Sequence, residues 1–532
     1  MNFFERIRDW MSRYYWWMLA AALLLGTFLR FLKLGQASLS DVEANQALQA
    51  LSLIRGDSTQ IGGQPGYVGL TSVLFFIFGS GNLAARFWPA IFGAALVLVP
   101  ALYRKQLPDG VGVVLAFLIA MEPGLVALSR SADGTMMAIC GLLAGLGFLL
   151  NRKMIPAGVM LGIALTCGAN FWLFGIIIVF SWLIFTWIDN EKEKALKAGD
   201  LIKDNTQGWK LALSTAGSAL LVGSVFFIHP SGISGIGSGL VDFFKSWVPR
   251  DGLSAPVSLL IFLTVQFPAI VLGLWGLVVG LRKKQRLTRF IGVWWGVGLI
   301  LGVLNLGHDP LIIPLINLPL FVLAAMQIAN LLDGMMVESR AVVIIEMAVT
   351  VSLFLFSMIN FLNMVNFYPS DAAMLRNRLL GIFLPLALWI AFTILLSWGW
   401  NLASTRSGLL SGIGVLLLLF LAGSGWKAAG LGSHPENELL AHQEYVVGDS
   451  NLLQTMTDVS RWNSGQADRI DVTLVGLDKP AITWLLRDFE VVNNDLAFPI
   501  NSTPSMVVSG MESVMSGQTL YRGQSVLWSL EP

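Results

Sequence analysis

Residues 15–44 read YWWMLAAALLLGTFLRFLKLGQASLSDVEA, and the class of fold follows from this segment. Its first part, residues 15–34, is almost entirely apolar, and an α-helix needs about 20 such residues to cross the hydrocarbon core of a bilayer. The charges within that part, Arg30 and Lys33, stand near its end. The segment therefore predicts a membrane-spanning helix that is followed directly by a polar stretch with two carboxylates, Asp41 and Glu43.

The composition of the whole chain agrees with a membrane location. Of 532 residues, 55% are hydrophobic and 13% are charged, and the mean hydropathy is +0.70. Soluble domains carry about 25% charged residues, so a soluble enzyme is excluded. The formal net charge of +1 gives no field that would attract nucleic acid. Cys140 and Cys167 lie inside apolar runs and predict neither a disulfide framework nor a zinc cluster.

Further apolar runs predict an all-α polytopic membrane protein with about thirteen transmembrane helices. This transmembrane domain covers residues 1–426. The predicted spans lie near residues 15–34, 84–103, 111–127, 134–150, 154–169, 171–188, 211–228, 256–280, 290–306, 311–331, 341–362, 379–397 and 408–426.

The distribution of basic residues predicts the orientation, because Lys and Arg accumulate in short cytoplasmic loops. The first span follows three arginines and is read as a retained signal anchor with a cytoplasmic N-terminus. The loops that then face the cytoplasm are basic; they hold Arg104, Lys105, Arg152, Lys153, several lysines between 192 and 210, and the cluster 282–289. An odd number of spans places the chain after residue 427 outside the cytoplasm.

The C-terminal part, residues 427–532, differs in kind from the rest of the chain. It mixes charges with short apolar runs at 470–476 and 505–508 and with helix-like stretches at 449–463 and 480–487. About 100 residues suffice for a small core of their own. We predict an extracytoplasmic α/β domain, with Trp462, Trp484 and Trp528 as core residues. Within the transmembrane part, the segment 232–239 (GISGIGSG) is predicted to be the most flexible loop.

The first outside loop, residues 35–83, is predicted to form two helices along the membrane surface. The first helix begins near Ser40 and ends before the helix breaker Gly56-Asp57, and the second covers 67–78. Two interpretations of Glu43 stay open. Ser40-x-x-Glu43 has the spacing of a capping box, in which the glutamate folds back onto the cap amide, whereas a chemical role would leave its carboxylate free. The capping box does not require Asp41.

Several basic residues are predicted on the same membrane face as Asp41. Arg86 opens the second span, and Arg130 with Asp133 forms either a salt bridge at the end of the third span or part of a site. The other basic residues on this face are His229, Lys245, Arg250 and His308. Each of them, taken alone, is interpreted as a solvated loop charge, but together they offer the cationic surroundings that a lipid-linked phosphate needs.

These segments carry a resemblance to a known group of proteins. The acidic motif 41–44, Pro65-Gly66-Tyr67, the stretch 84–89 (AARFWP), the segment from Pro123 to Asp133 and the tail segment 480–488 occur in the corresponding order and topology. The chain resembles the polytopic glycosyltransferases of the GT-C fold, in the protein O-mannosyltransferase and aminoarabinose transferase group (glycosyltransferase family 39-like), including its flippase-associated bacterial and archaeal branch.

The resemblance implies a transferase that moves a sugar from a polyprenyl-phosphate donor to an extracytoplasmic acceptor hydroxyl, with inversion. It assigns Asp41 as the base, with Glu43 as a second candidate, and it assigns the donor phosphate to basic residues. Those residues are Arg86, Arg130, Lys245, Arg250 and His308, with Asp133, Tyr67 and His229 in support. No metal or other cofactor is predicted, because Gln266 stands where some relatives carry an acid.

The partners implied are membrane lipid, the polyprenyl-phosphate sugar and an acceptor that is a protein, a lipid or a glycan, together with other membrane proteins in the cell membrane. The tail is expected to cover the outer mouth of the site and to help select the acceptor. The alternative function is a non-catalytic membrane scaffold or flippase-associated partner that keeps the fold. A solute transporter is a weaker reading, because the charges lie at span ends rather than at mid-membrane.

Overall fold

The structure, a computed structural model, describes residues 13–57, 60–189, 205–247, 263–305, 312–333, 338–366, 371–432, 445–495, 504–510 and 523–530. The first half of the chain is helical. Its helices are α1 (Tyr15–Phe31), α2 (Asp41–Arg55), α3 (Pro65–Phe78), α4 (Asn82–Leu96), α5 (Val99–Leu102), α6 (Val111–Met121), α7 (Pro123–Ser129), α8 (Thr135–Leu150), α9 (Met154–Leu165), α10 (Ala169–Ile188), α11 (Asn205–Gly223) and α12 (Gly232–Lys245).

The second half continues with helices and ends in a mixed tail. The helices are α13 (Phe267–Arg282), α14 (Arg286–Asn305), α15 (Ile312–Ile316), α16 (Leu318–Asp333), α17 (Arg340–Asn366), α18 (Ala372–Gly399) and α19 (Leu402–Ala428). The tail holds β1 (Tyr445–Val446), α20 (Asp449–Ser464), β2 (Asp471–Val475), α21 (Pro480–Leu485), β3 (Val491–Asp495), β4 (Met506–Ser509) and β5 (Ser529–Leu530).

Few of the described helices are long enough to cross a membrane alone. By length and hydropathy four qualify, namely α10, α17, α18 and α19, and a fifth does if α6 and α7 form one broken span. Six more apolar helices have 10–17 residues. The structure therefore describes a polytopic helical membrane protein, and the thirteen-span count stays a prediction.

Two predicted spans are interrupted in the structure. The run 111–127 bends by 61° between α6 and α7, because Glu122 is extended and Pro123 starts a new helix at a position where proline is favoured. The run 84–103 is divided into α4 and α5. Hydropathy alone registers neither break, since the residues on both sides are equally apolar.

The glycine-rich segment 232–239 is helical, which corrects the prediction of a flexible loop. It forms the first half of α12. A methyl group added at Gly235 would lie 2.6 Å from the Gly62 carbonyl oxygen, and one added at Gly239 would lie 2.8 Å from that of Gly63. The glycines thus allow α12 to approach the backbone of the first outside loop closely.

The tail is built on a three-stranded parallel sheet with the order β3-β2-β4. Val472 pairs with Val492 on one side and with Met506 on the other. Met456 of α20 and Ile482 of α21 are buried against Leu474 of the central strand β2. Both predicted apolar runs and both helix-like stretches of the tail correspond to elements of this unit, with bounds that differ by at most two residues.

Glycines also lie in the most extensive helix–helix contact of the described residues, between α9 and α11. We expect Gly162→Ala to destabilise the protein by about 1–3 kcal/mol, the usual range for overpacking, because the added methyl group would overlap the Thr215 carbonyl and the Ser218 hydroxyl. The thermal unfolding midpoint of the purified protein in detergent measures the effect. Gly217→Ala on α11 is the matched control, since its methyl group would meet no atom within 4 Å. Equal midpoints for the two variants would contradict the prediction.

Candidate active site

Helix α2 begins with the capping box that its sequence allows. The Ser40 hydroxyl accepts a hydrogen bond from the Glu43 amide (3.4 Å), and the Glu43 carboxylate accepts one from the Ser40 amide (3.0 Å). Gly56 ends the helix with a φ of 77°, a left-handed conformation that glycine adopts without strain. The capping interpretation of Glu43 is confirmed, and its role as a second catalytic base stays a prediction.

Glu43 is also the centre of a buried ion pair with Arg86. The Arg86 Nε and Nη2 atoms lie 2.8 and 2.7 Å from the two carboxylate oxygens, and the side chains of both residues are 8% exposed. A third donor, the Ala132 amide, lies 2.8 Å from Glu43 Oε1. The pair ties the start of α2 to α4 and to the segment before α8.

The remaining donors of Arg86 serve the chain between α1 and α2. They reach the carbonyl oxygens of Leu34 (3.4 Å), Ala37 (2.7 Å) and Ser38 (3.0 Å). Since a guanidinium has five N–H groups, Arg86 has none to spare for a phosphate. In this arrangement Arg86 is a clamp that fixes the outer segment, and its phosphate-binding role stays a prediction.

The ionisation of Glu43 makes the clamp sensitive to acid. Burial is the largest influence and opposes the charge, but the positive charge of Arg86 and the hydrogen bonds from Arg86, Ser40 and Ala132 together outweigh it and lower the pKa of Glu43. A carboxyl group with a lowered pKa contributes stability above its unfolded pKa of about 4.3. That contribution is lost as the pH falls through the folded value.

We therefore expect the thermal unfolding midpoint to be insensitive to Glu43 between about pH 8 and pH 5 and to fall below about pH 4. The comparison that isolates this carboxyl is the wild type against Glu43→Gln, which has no proton to gain at this position. The acid-induced fall should be smaller in the variant. Parallel curves for the two proteins down to about pH 3 would show that Glu43 does not contribute.

Asp41 lies two residues earlier, in the first turn of α2, and it faces the tail. Its Oδ1 atom accepts a hydrogen bond from the Ala481 amide (2.9 Å), and its Oδ2 atom lies 3.2 Å from the Lys479 ammonium. The side chains of Asp41 and Lys479 are 26% and 33% exposed. Asp41 thus caps the N-terminus of α21 from another part of the chain, while the N-cap residue Lys479 provides no side-chain cap.

Several further contacts fix α21 on the outer segment. The Trp484 indole donates to Asn82 Oδ1 (2.8 Å) and packs on Phe75 with ring centroids 5.6 Å apart. Arg487 donates to the Ser80 carbonyl oxygen (3.3 Å), and its own carbonyl accepts from Arg55 (2.6 Å). The tail therefore lies directly beside the predicted base.

Arg130 caps the C-terminal end of α1. Its Nη1 atom donates to the carbonyl oxygens of Leu29 (3.2 Å), Arg30 (3.0 Å) and Leu32 (2.9 Å), and Nη2 reaches that of Lys33 (3.4 Å). Its Nε atom bonds to no residue that the structure describes. Arg130 lies near enough to Arg86 for the two cations to repel each other.

The other predicted site residues are spread more widely. Asp133 Oδ1 accepts a hydrogen bond from the Thr135 amide (2.8 Å) at the start of α8, and the buried Tyr67 hydroxyl donates to the Ala85 carbonyl oxygen (2.8 Å). His229 is half-buried, and Lys245 is exposed at the end of α12. Arg250 and His308 lie outside the described residues. The structure thus brings Glu43 and Arg86 into contact, with Arg130 near Arg86, whereas Asp41, two residues before Glu43, contacts the tail.

Sequence reasoning missed a buried polar chain at the bend between α6 and α7. The Gln266 amide donates to Glu122 Oε1 (2.9 Å) and accepts a hydrogen bond from Asn317, which in turn accepts one from the Trp295 indole (3.0 Å). Arg30 is also buried, and its Nε atom donates to Ser129 (3.0 Å). Buried charges within membrane segments are costly and paired, which is the signal that could have singled out Glu122 and Arg30.

Comparisons with known proteins identify the fold. No family model matches the chain, and neither does any curated protein. The crystal structure of ArnT from Cupriavidus metallidurans is similar over 90% of this chain and 86% of its own, with a TM-score of 0.53 and 14% identity. The same enzyme bound to undecaprenyl phosphate gives a TM-score of 0.52 with 15% identity, over 90% of this chain and 85% of its own.

A second kind of neighbour has the same architecture. The archaeal oligosaccharyltransferase AglB from Archaeoglobus fulgidus, in complex with an inhibitory peptide and a dolichol-phosphate, matches 92% of this chain with a TM-score of 0.51 and 13% identity. This chain covers 65% of the AglB chain. ArnT and AglB are both glycosyltransferases of the GT-C fold, and the likeness establishes that fold here.

Proposed function

We propose that this GT-C-fold chain transfers a sugar from a polyprenyl-phosphate donor to an acceptor hydroxyl on the extracytoplasmic side of the cell membrane, with Asp41 as the base. The observation that carries the proposal is the position of Asp41. It is the partly exposed carboxylate of the motif, in the first turn of a helix whose start is fixed by the Glu43–Arg86 clamp. A base on a rigid element is held in a reproducible geometry, which proton transfer requires.

The contact with Lys479 indicates where the acceptor would bind. The space beside Asp41 Oδ2 accommodates a hydrogen-bond donor, which is the Lys479 ammonium at 3.2 Å. An acceptor hydroxyl takes that place in the reaction. Its proton passes to Asp41, its oxygen bonds to the anomeric carbon, and the bond from that carbon to the phosphate oxygen breaks. Attack opposite the phosphate inverts the anomeric centre, as in inverting glycosidases.

The departing polyprenyl phosphate needs positive charge rather than a proton donor. Arg130 supports this role because its Nε atom bonds to none of the residues that the structure describes and because it lies at the C-terminal end of α1. Lys245, Arg250 and His308 stay proposed helpers. Since these cations supply the charge, we propose that the step needs no divalent metal, and EDTA should leave the transfer rate unchanged.

The orientation and the partners complete this proposal. With the N-terminus in the cytoplasm, Asp41 and the tail face outward, where a protein, lipid or glycan acceptor would be met. The tail contacts at Lys479 and Ala481 support its role in acceptor selection, because an acceptor that reaches Asp41 must pass beside α21. Other membrane proteins remain proposed partners.

A second candidate function, a non-catalytic scaffold, is favoured by one specific observation. Both carboxylate oxygens of Asp41 are engaged by the tail, so Asp41 fulfils a complete structural role as a helix cap. In this case the chain would hold its tail for partner proteins and turn over no donor.

Donor turnover separates the two functions. The full chain in nanodiscs is incubated with polyprenyl-phosphate monosaccharides and an extract of extracytoplasmic acceptors, and the released polyprenyl phosphate is measured. The transferase predicts release that depends on both donor and acceptor and is lost in Asp41→Asn. Release that is absent, or equal in wild type and Asp41→Asn, would overturn the assignment and favour the scaffold.

A further inference from the structure

The tail contains an open groove of about 570 Å³ that lies apart from Asp41. One wall is helix α20, which contributes Asn451, Gln454, Thr455 and Asp458, and the other is the extended segment 524–527. This volume falls within the roughly 300–1,000 Å³ that is usual for ligand pockets. The extended wall is fixed in place, because the amides of Val447 and Gly448 donate to the Trp528 carbonyl oxygen at 2.9 and 3.1 Å.

The polar side chains of this groove are available for a ligand. Asn451, Gln454 and Asp458 are exposed, and within the part of the chain that the structure describes their side chains have no hydrogen-bond partner. Two amides and a carboxylate provide both donors and acceptors, whereas a groove for an ion would concentrate one sign of charge. This mixture suits a ligand that is itself a dense row of neutral donor-acceptor groups.

The same face of α20 carries an exposed tryptophan. In a helix with 3.6 residues per turn, residues 451, 455, 458 and 462 share one face, and the opposite face holds the buried Met456 and Ser460. Trp462 therefore continues the line of groove residues by one turn, and it is 91% exposed. This corrects the prediction that Trp462 is a core residue. Trp484, 2% exposed, is a core residue as predicted, and Trp528 is half-buried and packs against the core.

An exposed indole beside a row of amides offers a ligand both an apolar surface and hydrogen-bonding groups. Among the residues that the structure describes, none covers the indole of Trp462, and Leu527, 65% exposed, provides a second apolar surface on the facing wall. A pyranose ring presents an apolar C–H face and a rim of hydroxyls, so it can lie on the indole and hydrogen-bond to the amides and Asp458. The distance from residue 451 to 462 is roughly 16 Å along the helix axis, enough for a short oligosaccharide.

We propose that this groove, with Trp462 as its platform, is a binding site for a neutral carbohydrate chain. The groove helix begins beside the outer segment, since Asp449 accepts a hydrogen bond from Ser38, three residues before Asp41. A chain held along α20 is thereby kept at the side of the tail that adjoins the first outside loop. The identification of the bound carbohydrate as part of the acceptor rests on the proposed transferase function, whereas the proposal that the groove binds a carbohydrate does not.

Binding of defined glycans to the full chain in nanodiscs tests the proposal independently of catalysis. The probes are cellotetraose, mannotetraose and chitotetraose, with isothermal titration calorimetry and indole fluorescence as readouts. At least one probe should bind, Trp462→Ala should weaken it by about tenfold or more, and Trp462→Phe should restore part of the affinity. Asn451→Ala should also weaken binding, while Asn463→Ala, an exposed amide to the side of the groove, should not.

Three outcomes would overturn the proposal. The first is the absence of binding by all three glycans, and the second is binding that Trp462→Ala and Asn451→Ala leave unchanged. A groove that instead bound a polar peptide with the same dependence on Trp462 would also refute it. Failure of the transferase proposal looks different, since glycan binding would persist in a protein that releases no polyprenyl phosphate.

Discussion

Replacing Arg86 by alanine should destabilise the folded protein by about 3–5 kcal/mol, the range observed when one partner of a buried ion pair is removed. The reason is that Glu43, 8% exposed in its side chain, would keep its charge without its main counter-ion, and the carbonyl oxygens of Leu34, Ala37 and Ser38 would lose their donor at the same time. The effect is measured as a fall in the thermal unfolding midpoint and as faster hydrogen exchange across residues 34–43.

The matched control is Arg469→Ala, which removes an arginine from an exposed pair. Arg469 lies 3.5 Å from Glu490, and the two side chains are 59% and 64% exposed. Such surface pairs contribute about 0–1 kcal/mol. Arg86→Ala combined with Glu43→Gln should also be less destabilising than the sum of the single changes. If Arg86→Ala proved as mild as Arg469→Ala and only raised the KM for the donor, the phosphate-binding role would be the correct one.

Replacing Asp41 by asparagine should lower the rate of sugar transfer by about 10²–10⁴-fold, the usual contribution of a positioned general base. Asparagine keeps a carbonyl oxygen that can accept the hydrogen bond from the Ala481 amide, so the cap of α21 should survive and the unfolding midpoint should change little. The measurement is release of polyprenyl phosphate at saturating donor. Donor binding, followed separately, should be unaffected.

Lys479→Ala is the control that distinguishes the proposed catalytic role of Asp41 from its structural role as the cap of α21. It removes the ammonium next to Asp41 Oδ2 but leaves the carboxylate, so the transfer rate at saturating acceptor should fall far less than the about 10²–10⁴-fold expected for Asp41→Asn. The non-catalytic alternative expects no transfer from either protein. An Asp41→Asn variant that is folded and transfers sugar at the wild-type rate would remove Asp41 from the mechanism.

The local features of the first outside loop could be predicted because they depend on neighbouring residues. The capping box joins residues three apart, and the helix that it starts ends at Gly56 as its sequence indicates. Both helices of the tail and two of its described strands, β2 and β4, were also predicted to within two residues, whereas β1, β3 and β5 were not predicted. The bend at Glu122 was not, because one Glu-Pro pair leaves the mean hydropathy of the run 111–127 high enough for a single span. Trp462 was misplaced for a related reason, since an apolar side chain does not show by itself which way it faces.

The sequence alone determined that this protein is a helical membrane protein. It also determined the residue at which α2 starts and showed that the capping box of α2 does not require Asp41. Tertiary structure decided which partners the two acids meet. Arg86 meets Glu43 from 43 residues away, and the Ala481 amide meets Asp41 from 440 residues away. Hydropathy and capping depend on a short segment and can be predicted from its sequence. The pairing of two distant charges depends on the position of every helix between them.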